Sequence, residues 1–185
     1  MDGKTLSFMA HLWMHDGRAW TRSALAGPHV AILLDPKQPL ENVPTPRVEA
    51  GAATISGYSL AEPESHWVLY AAPAAEVEVN GRPLRLGMRV LQDRDAISLG
   101  GRPPIFFSTE ELARVGPFPV MATPVFCARC KQRIQAGTPA VRCPSCGHWC
   151  EESSTKPCWS YAPNCPLCDQ PTSFDTGYRW TPEGL

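Results

Sequence analysis

The first two thirds of the chain lack cysteine: residues 1–126 contain none, and all eight lie between Cys127 and Cys168. No run of about 18 apolar residues occurs, so the sequence predicts no membrane-spanning helix. The N-terminal residues also lack the basic start and the apolar run of a signal peptide. We therefore expect a cytoplasmic protein. In a reducing compartment, clustered cysteines bind metal more often than they form disulfides.

An excess of charge of one sign is also missing. The net charge of −1 offers no general attraction to nucleic acid or to an anionic membrane. In residues 117–185, six basic residues stand against five acidic ones, and this balance of +1 is too small for a phosphate-binding surface. Apolar residues make up 43% of the chain, which is enough for a packed core. The length suits one or two small domains.

The first part of the chain is predicted to be mainly β. Short runs rich in Val, Ile, Tyr and Trp, separated by turn residues, indicate a β-sandwich over residues 1–115. A Pro-rich loop is expected over 36–46. The predicted strands are Val30–Leu34, Ala53–Leu60, Trp67–Ala71, Val77–Val79, a return strand through Leu84 and Leu86, and Ile97–Leu99.

A hairpin turn is the clearest local signal of this part. Val77 and Val79 alternate with glutamates, and Asn80-Gly81 then supplies two residues that tolerate positive φ. This turn belongs to a longer pattern made of Val79, Asn80, Gly81, Pro83, Leu84, Leu91, Asp93, Asp95, Ile97, Leu99 and Gly100. The pattern resembles the C-terminal half of forkhead-associated domains. The resemblance implies a β-sandwich that binds a partner or substrate of unknown identity.

The phosphothreonine-reading residues of that family are incomplete here. The family uses an Arg after an early Gly, which Gly17-Arg18 would imitate, together with a Ser-x-x-His segment. Ser65 and His66 are adjacent, so the second element is missing. A phosphate needs a converging cationic and hydroxyl cluster, and we therefore do not expect phosphopeptide binding.

Two further segments precede the cysteines. Residues 106–115 are predicted to form a short helix, because Ser108-Thr109 followed by Glu110 and Glu111 fits a helix start. Three prolines in residues 116–125 predict a semi-rigid linker. Residues 126–185 would then form a second domain.

The eight cysteines have the spacing of two structural zinc sites. Three C-x-x-C pairs occur, and each can place two thiolates on one ion from a tight turn. Four soft sulfur ligands in a tetrahedral array suit zinc, and eight cysteines complete two such sites. A segment of this size holds little apolar core, so zinc binding at roughly 10–16 kcal/mol per site would supply the missing stability.

Two ligand pairings satisfy this spacing. We favour a cross-brace, because the order along the chain is pair, pair, wide couple, pair. The alternative is a sequential arrangement, with a zinc ribbon over Cys127–Cys146 and a second site from the last four cysteines. In the cross-brace, site one is Cys127, Cys130, Cys150 and Cys158, and site two is Cys143, Cys146, Cys165 and Cys168.

His148 is a ninth candidate ligand. It lies two residues after Cys146 and two before Cys150, and it could replace either of them. The other interpretation is an exposed histidine or one that contacts a ligand, because eight thiolates already fill two sites.

Three further motifs stand in this segment: Cys143-Pro-Ser-Cys146-Gly, Cys158-Trp159 and Cys165-Pro166-Leu167-Cys168. They resemble signatures of the RING and treble-clef family, in particular of the prokaryotic RING-finger proteins. The resemblance implies two zinc ions and a ubiquitin-ligase-like protein that docks a ubiquitin-conjugating enzyme. In bacteria it implies a ubiquitin-like protein conjugation pathway, often antiphage in context.

The same resemblance implies which residues would form the docking groove. The family uses a residue inside the first knuckle, here Ala128 or Arg129, and an apolar residue after the middle ligands, here Trp159. It also uses the Pro of the last knuckle, here Pro166 with Leu167. Trp159 has a second interpretation as a core residue packed between the two zinc sites.

Whether the chain is an enzyme is left open by the residues after the last ligand. Active members often carry Arg or Lys there to clamp the thioester, and this chain has Asp169-Gln170. A carboxylate cannot serve as that cation. No catalytic residue is expected, because zinc would occupy every thiol. The alternative function is a non-enzymatic, zinc-stabilised adaptor for protein interaction.

Overall fold

A computed structural model describes residues 10–25, 29–33, 41–42, 52–61 and 64–184. The chain divides into two compact units, Met1–Thr109 with Pro182–Leu185 and Glu110–Thr181. Both are built from antiparallel β-sheet, so the prediction of a mainly β fold with a cysteine-rich region is confirmed.

One sheet of the first unit has six antiparallel strands. They are β1 His11–His15, β2 Trp20–Ala24, β7 Val77–Val79, β8 Arg82–Pro83, β10 Ala96–Leu99 and β11 Ile105–Ser108. Their order in the sheet is β2-β1-β11-β10-β7-β8. Strand β1 therefore pairs with β2 on one side and with β11 on the other.

The other sheet of this unit has five antiparallel strands. They are β3 His29–Leu33, β4 Glu41–Asn42, β5 Ala52–Ala61, β6 Glu64–Ala71 and β9 Met88–Leu91. Their order in the sheet is β4-β3-β5-β6-β9. The predicted loop over 36–46 lies outside the described residues except for β4. A 3₁₀ turn, Pro73–Ala75, carries the chain from this sheet to the first one, and another spans Pro182–Gly184.

The two sheets share one hydrophobic core. Leu12 and Phe107 of the six-stranded sheet and Ile55 and Leu69 of the five-stranded sheet are fully buried in it. The Trp67 and Phe107 rings meet between the sheets at 6.0 Å between centroids. Each such side chain stabilises the fold by about 1.5–3 kcal/mol. Burial alternates with a period of two along β6, from His66 to Ala71, as expected for a strand with one face on the core, whereas β5 is buried on both faces from Ala53 to Gly57.

The Asn80-Gly81 turn is formed as the sequence predicts. Asn80 has φ of 53° and Gly81 has φ of 69°, the positive values that a two-residue hairpin needs. The Asn80 side chain donates to Asp95 Oδ1 at 2.6 Å and accepts from the Ala96 amide at 2.8 Å. These residues therefore lock β7 to β10, and their role is structural. The return strand ends at Pro83, so its predicted extension through Leu86 is wrong.

The helix predicted over residues 106–115 is wrong. Residues 105–108 form β11, which pairs with β1 and β10 and buries Phe106 and Phe107. The Ser108 hydroxyl donates to Asp93 Oδ1 at 2.8 Å, and the Thr109 amide donates to the same oxygen at 2.9 Å. Ser108 and Thr109, which were predicted to begin a helix, instead bind Asp93 at the end of β11, because sheet pairing outweighs the local helix signal.

The second unit contains a three-stranded antiparallel sheet. Its strands are β12 Val115–Pro117, β13 Pro139–Arg142 and β14 Trp149–Glu151, in that order. Strand β12 overlaps the start of the stretch predicted as a linker, and the Phe118 ring after it meets Trp149 of β14 edge-on at 5.1 Å between ring centroids.

The end of this unit is held by polar side chains. Buried Gln170 donates from Nε2 to the Gly177 carbonyl at 2.6 Å. The Glu110 carboxylate accepts the backbone amides of Arg179 and Trp180. These hydrogen bonds hold residues 170–180 against the rest of the second unit. In the described parts of the chain, no helix has the length and hydropathy to cross a membrane.

His11 gives the first unit a pH-dependent stability. It is buried in β1, and burial followed by the Arg22 charge lowers its pKa from 6.5 to about 4, although Asp93 acts in the opposite direction. Between these two pKa values, the His11 imidazole binds a proton in the unfolded chain but not in the folded chain. We expect this contribution, about 3 kcal/mol at most, to be lost as pH falls from 6.5 to 4.

Urea unfolding of the full chain at several pH values measures this effect. His11→Gln should flatten the pH dependence in that window, and His15→Gln, on the exposed end of the same strand, should leave it unchanged. Equal pH profiles for His11→Gln and the parent chain would contradict the assignment.

Candidate metal centre

Three C-x-x-C turns with a common backbone geometry form the candidate centre; we call them the first, second and third knuckles. In each, the amide of the first cysteine donates to the carbonyl five residues later. These bonds are Cys127 to Gln132 at 2.8 Å, Cys143 to His148 at 2.8 Å and Cys165 to Gln170 at 2.9 Å. The turn brings the two thiols of each knuckle to one side, as metal binding requires.

The first two knuckles also end alike. Lys131 and Gly147, each directly after the second cysteine, have φ of 61° and 74°. Their amides donate back to the carbonyls of Cys127 and Cys143 at 3.0 and 2.9 Å. Glycine adopts this left-handed conformation freely, whereas the lysine does so at a small cost.

The second and third knuckles bring four thiols together. The sulfur atoms of Cys143, Cys146, Cys165 and Cys168 all lie within 4.8 Å of one another. Cys143 Sγ is 3.7 Å from Cys168 Sγ, and Cys146 Sγ is 3.8 Å from Cys165 Sγ. A tetrahedral zinc site with Zn–S bonds of about 2.3 Å has edges of about 3.8 Å. These two opposite edges therefore match a four-thiolate zinc site.

The first knuckle meets Cys158 to form the other group. The thiols of Cys127, Cys130 and Cys158 lie within 4.8 Å of one another. Cys150 is outside that group, but the Cys127 thiol is near enough to contribute to the raised pKa of Cys150. Glu151, the next residue, donates its amide to Cys127 Sγ at 3.4 Å. The end of β14 thus places Cys150 beside the group as a fourth thiol.

The pKa values of the thiols reflect burial and hydrogen bonding. Burial, followed by the charges of Cys127 and Cys165, raises the pKa of Cys150 to about 12. Burial and the hydrogen bond to Cys130 raise the pKa of Cys158 to about 12. Burial also acts to raise the pKa of Cys168, but the Gln170 amide and the neighbouring thiols lower it to about 7. A metal ion must therefore displace protons from Cys150 and Cys158.

The sulfur atoms of the two thiol groups determine which metal ion this arrangement can bind. Thiolates favour zinc over magnesium or calcium, and a closed set of four leaves no position for a substrate. Each four-thiolate zinc site carries two negative charges, so nearby cations are stabilising. Arg179 contacts the second knuckle through Ser145 Oγ at 2.9 Å, and Arg142 contacts the Gly147 carbonyl at 3.3 Å. The residues fit structural zinc.

His148 joins neither group of thiols. It is exposed, and its Nδ1 lies 3.3 Å from the Cys146 carbonyl. The backbone carbonyl of His148 accepts a hydrogen bond from the Cys143 amide, so His148 supports the second knuckle through its backbone. Of the two sequence interpretations, the structure places His148 as an exposed residue beside the site.

Zinc content separates the roles of His148 and Cys150. We expect His148→Ala to retain one zinc ion per thiol group, because its ring lies outside both. Cys150→Ser should lose the ion of the first group, since a serine hydroxyl is a poor zinc ligand beside thiolates. Metal analysis after gel filtration measures both. Full zinc content in Cys150→Ser, or loss in His148→Ala, would reverse the assignment.

Two of the residues predicted for docking are buried. Trp159 is fully buried, and its Nε1 donates to the Thr172 carbonyl at 2.9 Å. Its amide donates to Glu152 Oε2 at 2.8 Å, as does the Ser160 amide at 3.1 Å. Ala128 is also buried. Neither side chain is accessible to a partner, so the core interpretation of Trp159 holds and its proposed docking role is corrected.

The other predicted docking residues are accessible. Pro166 is exposed and Leu167 is 49% exposed at the tip of the third knuckle. Arg129 extends from the first knuckle, donating to the carbonyls of Cys158 at 2.6 Å and Asn164 at 3.2 Å. The Arg129 guanidinium also lies 5.3 Å from the centroid of the Tyr161 ring, which is 76% exposed.

Tyr161 is the residue that sequence reasoning missed. It stands in the turn between Cys158 and Cys165, and its signal was an aromatic residue in a short polar segment between two ligands. Comparison of the chain with models of known protein families and with curated proteins gave no match. The geometry of the thiol groups therefore carries the functional argument.

Proposed function

We propose that this protein is a RING-type, ubiquitin-ligase-like adaptor that docks a ubiquitin-conjugating enzyme. The observation that supports it is the interleaving of the two thiol groups along the chain. One group takes the first knuckle and Cys158, and the other takes the second and third knuckles. A sequential pair of zinc ribbons would instead combine the first knuckle with the second.

Interleaving has a mechanical consequence for docking. Both ions would tie together parts of the chain that are distant in sequence, so the surface between them is rigid without a helix or a large core. A preorganised surface binds a partner at a lower entropic cost. We define the docking surface as Arg129, Tyr161, Pro166 and Leu167, the accessible residues around the first and third knuckles.

The mechanism proposed for this surface involves no covalent intermediate. Every thiol is committed to zinc, so the protein would hold the conjugating enzyme and bias its thioester toward attack. Asp169 is exposed, whereas the Gln170 side chain is buried and donates to Gly177, so neither offers a cation beside the thioester. Docking is thus better supported than direct activation.

Thioester discharge tests the proposal. We expect the full chain, added to a matched activating enzyme, conjugating enzyme and ubiquitin-like protein, to accelerate discharge. Leu167→Asp should weaken binding of the conjugating enzyme about tenfold or more. Val120→Asp, a matched change at another exposed apolar residue, should not. Absence of both binding and acceleration would reject the proposal, provided that zinc content is normal.

A non-enzymatic adaptor is the second candidate, and the absence of a cation after Cys168 favours it. Binding of the conjugating enzyme without faster discharge would support this alternative. For the pathway we propose a cytoplasmic, bacterial ubiquitin-like conjugation system with an antiphage role. The forkhead-associated-like unit would supply the substrate or partner.

A further inference from the structure

A second recognition surface lies on the first unit, at one edge of the five-stranded sheet. Among the described residues, β9 has a strand neighbour on one side only, β6. The apolar residues Leu86, Met88 and Val90 lead into and along this edge at alternate positions, and they are 90%, 58% and 57% exposed. Three large apolar side chains exposed in one row mark an interaction surface.

The backbone of the same residues faces the open edge. The Ala71 amide donates to the Gly87 carbonyl at 3.0 Å, so Gly87 is in a hydrogen-bonded pair with β6. Bonded and non-bonded pairs alternate along an antiparallel ladder. Arg89 and Leu91 therefore bond to β6, whereas the amide and carbonyl groups of Met88 and Val90 point away from it.

The side chains beside this edge continue the apolar row inward. Val90 is opposite Val68, and Met88 is opposite Tyr70. These four residues share the face of the sheet that is turned away from the core, because Leu69 and Leu91, on the alternate positions, are buried in the core. A strand added to β9 would meet both free backbone groups and an apolar row.

The charge around the edge indicates the chemistry of the added strand. Residues 84–92, which lead into and form β9, carry Arg85 and Arg89 and no acidic residue. Within the described residues, these two side chains make no hydrogen bond or ion pair. A second copy of β9 would place arginines along arginines, and like charges on facing strands are destabilising. An acidic strand is complementary instead.

We propose that β9 binds an extended acidic peptide segment of a partner protein, in which acidic and apolar residues alternate. Main-chain hydrogen bonds to Met88 and Val90 give affinity, the apolar row selects the alternate side chains, and the arginines select the acidic ones. The site is independent of the zinc-binding unit and of conjugating-enzyme docking.

A labelled synthetic peptide of alternating Val and Glu tests the site by fluorescence anisotropy with the full chain. We expect binding that weakens with salt, and no binding of the matched Val and Lys peptide. Arg85→Glu should weaken binding about tenfold, whereas Arg102→Glu, an equal charge reversal at an exposed residue of the same unit, should not.

Val90→Pro tests the backbone contribution separately. Proline removes an amide that points out of the sheet and is tolerated on an edge strand, so folding should be retained while peptide binding is lost. Three outcomes would overturn the proposal: no binding of the acidic peptide, equal binding of both peptides, or self-association of the chain that Val90→Pro abolishes.

Discussion

Removal of zinc is expected to unfold the second unit and to leave the first unit folded. Apart from its cysteines, the core of the second unit has few large side chains, chiefly Phe118, Ile134, Val141 and Trp159. Zinc binding at roughly 10–16 kcal/mol per structural site exceeds what this core can replace. Hydrogen exchange with and without a chelator measures the effect, which should appear in residues 110–181.

Strands β5 and β6 supply the internal control for this measurement. They belong to a core that contains no cysteine, so their exchange should not change on chelation. Added zinc should restore protection in the second unit, whereas magnesium should not, because thiolates bind it poorly. Unchanged protection of residues 110–181 after complete metal removal would contradict the metal-dependent fold.

Replacement of Trp159 is expected to give the largest effect of any single apolar substitution in the second unit. Trp159→Ala removes a fully buried ring and leaves the Thr172 carbonyl without its indole donor. The cost is about 3–5 kcal/mol for the cavity, with a further contribution from the unpaired carbonyl. Chemical denaturation of the zinc-loaded chain, followed by near-UV circular dichroism, measures it.

Tyr161→Ala is the matched control for Trp159→Ala. Tyr161 is two residues away and largely exposed, so its removal should change stability by less than about 1 kcal/mol. On the proposed function, the same variant should weaken docking of the conjugating enzyme. Equal loss of stability in the two variants would show that Trp159 is not the core residue of this unit.

The tight turns of this structure could be predicted from the sequence. A C-x-x-C pair dictates a tight turn, and the interleaved grouping of Cys143, Cys146, Cys165 and Cys168 agrees with the favoured pairing. The Asn80-Gly81 hairpin likewise depends on two adjacent residues with positive φ. In both cases the information lies within a few residues of the chain.

Burial and sheet pairing could not be predicted, because they depend on residues distant in sequence. Trp159 was assigned to a groove by its position after a ligand, but Thr172 and Glu152 hold it inside the unit. Residues 106–115 carry a local helix signal, yet β11 pairs with β1 nearly a hundred residues earlier. The exposed row along β9 also became visible only once its neighbour β6 was known.

The interleaving of the two thiol groups limits how this chain can be shortened. The first group spans a loop from Cys130 to Cys158, and the second spans one from Cys146 to Cys165, so the two loops overlap between 146 and 158. A cut or a stop codon in that overlap separates the ligands of both groups at once. No gene fragment ending there can encode a half-domain with one intact site. A fragment that keeps only the second group must begin between Cys130 and Cys143, and one that keeps only the first group must end between Cys158 and Cys165.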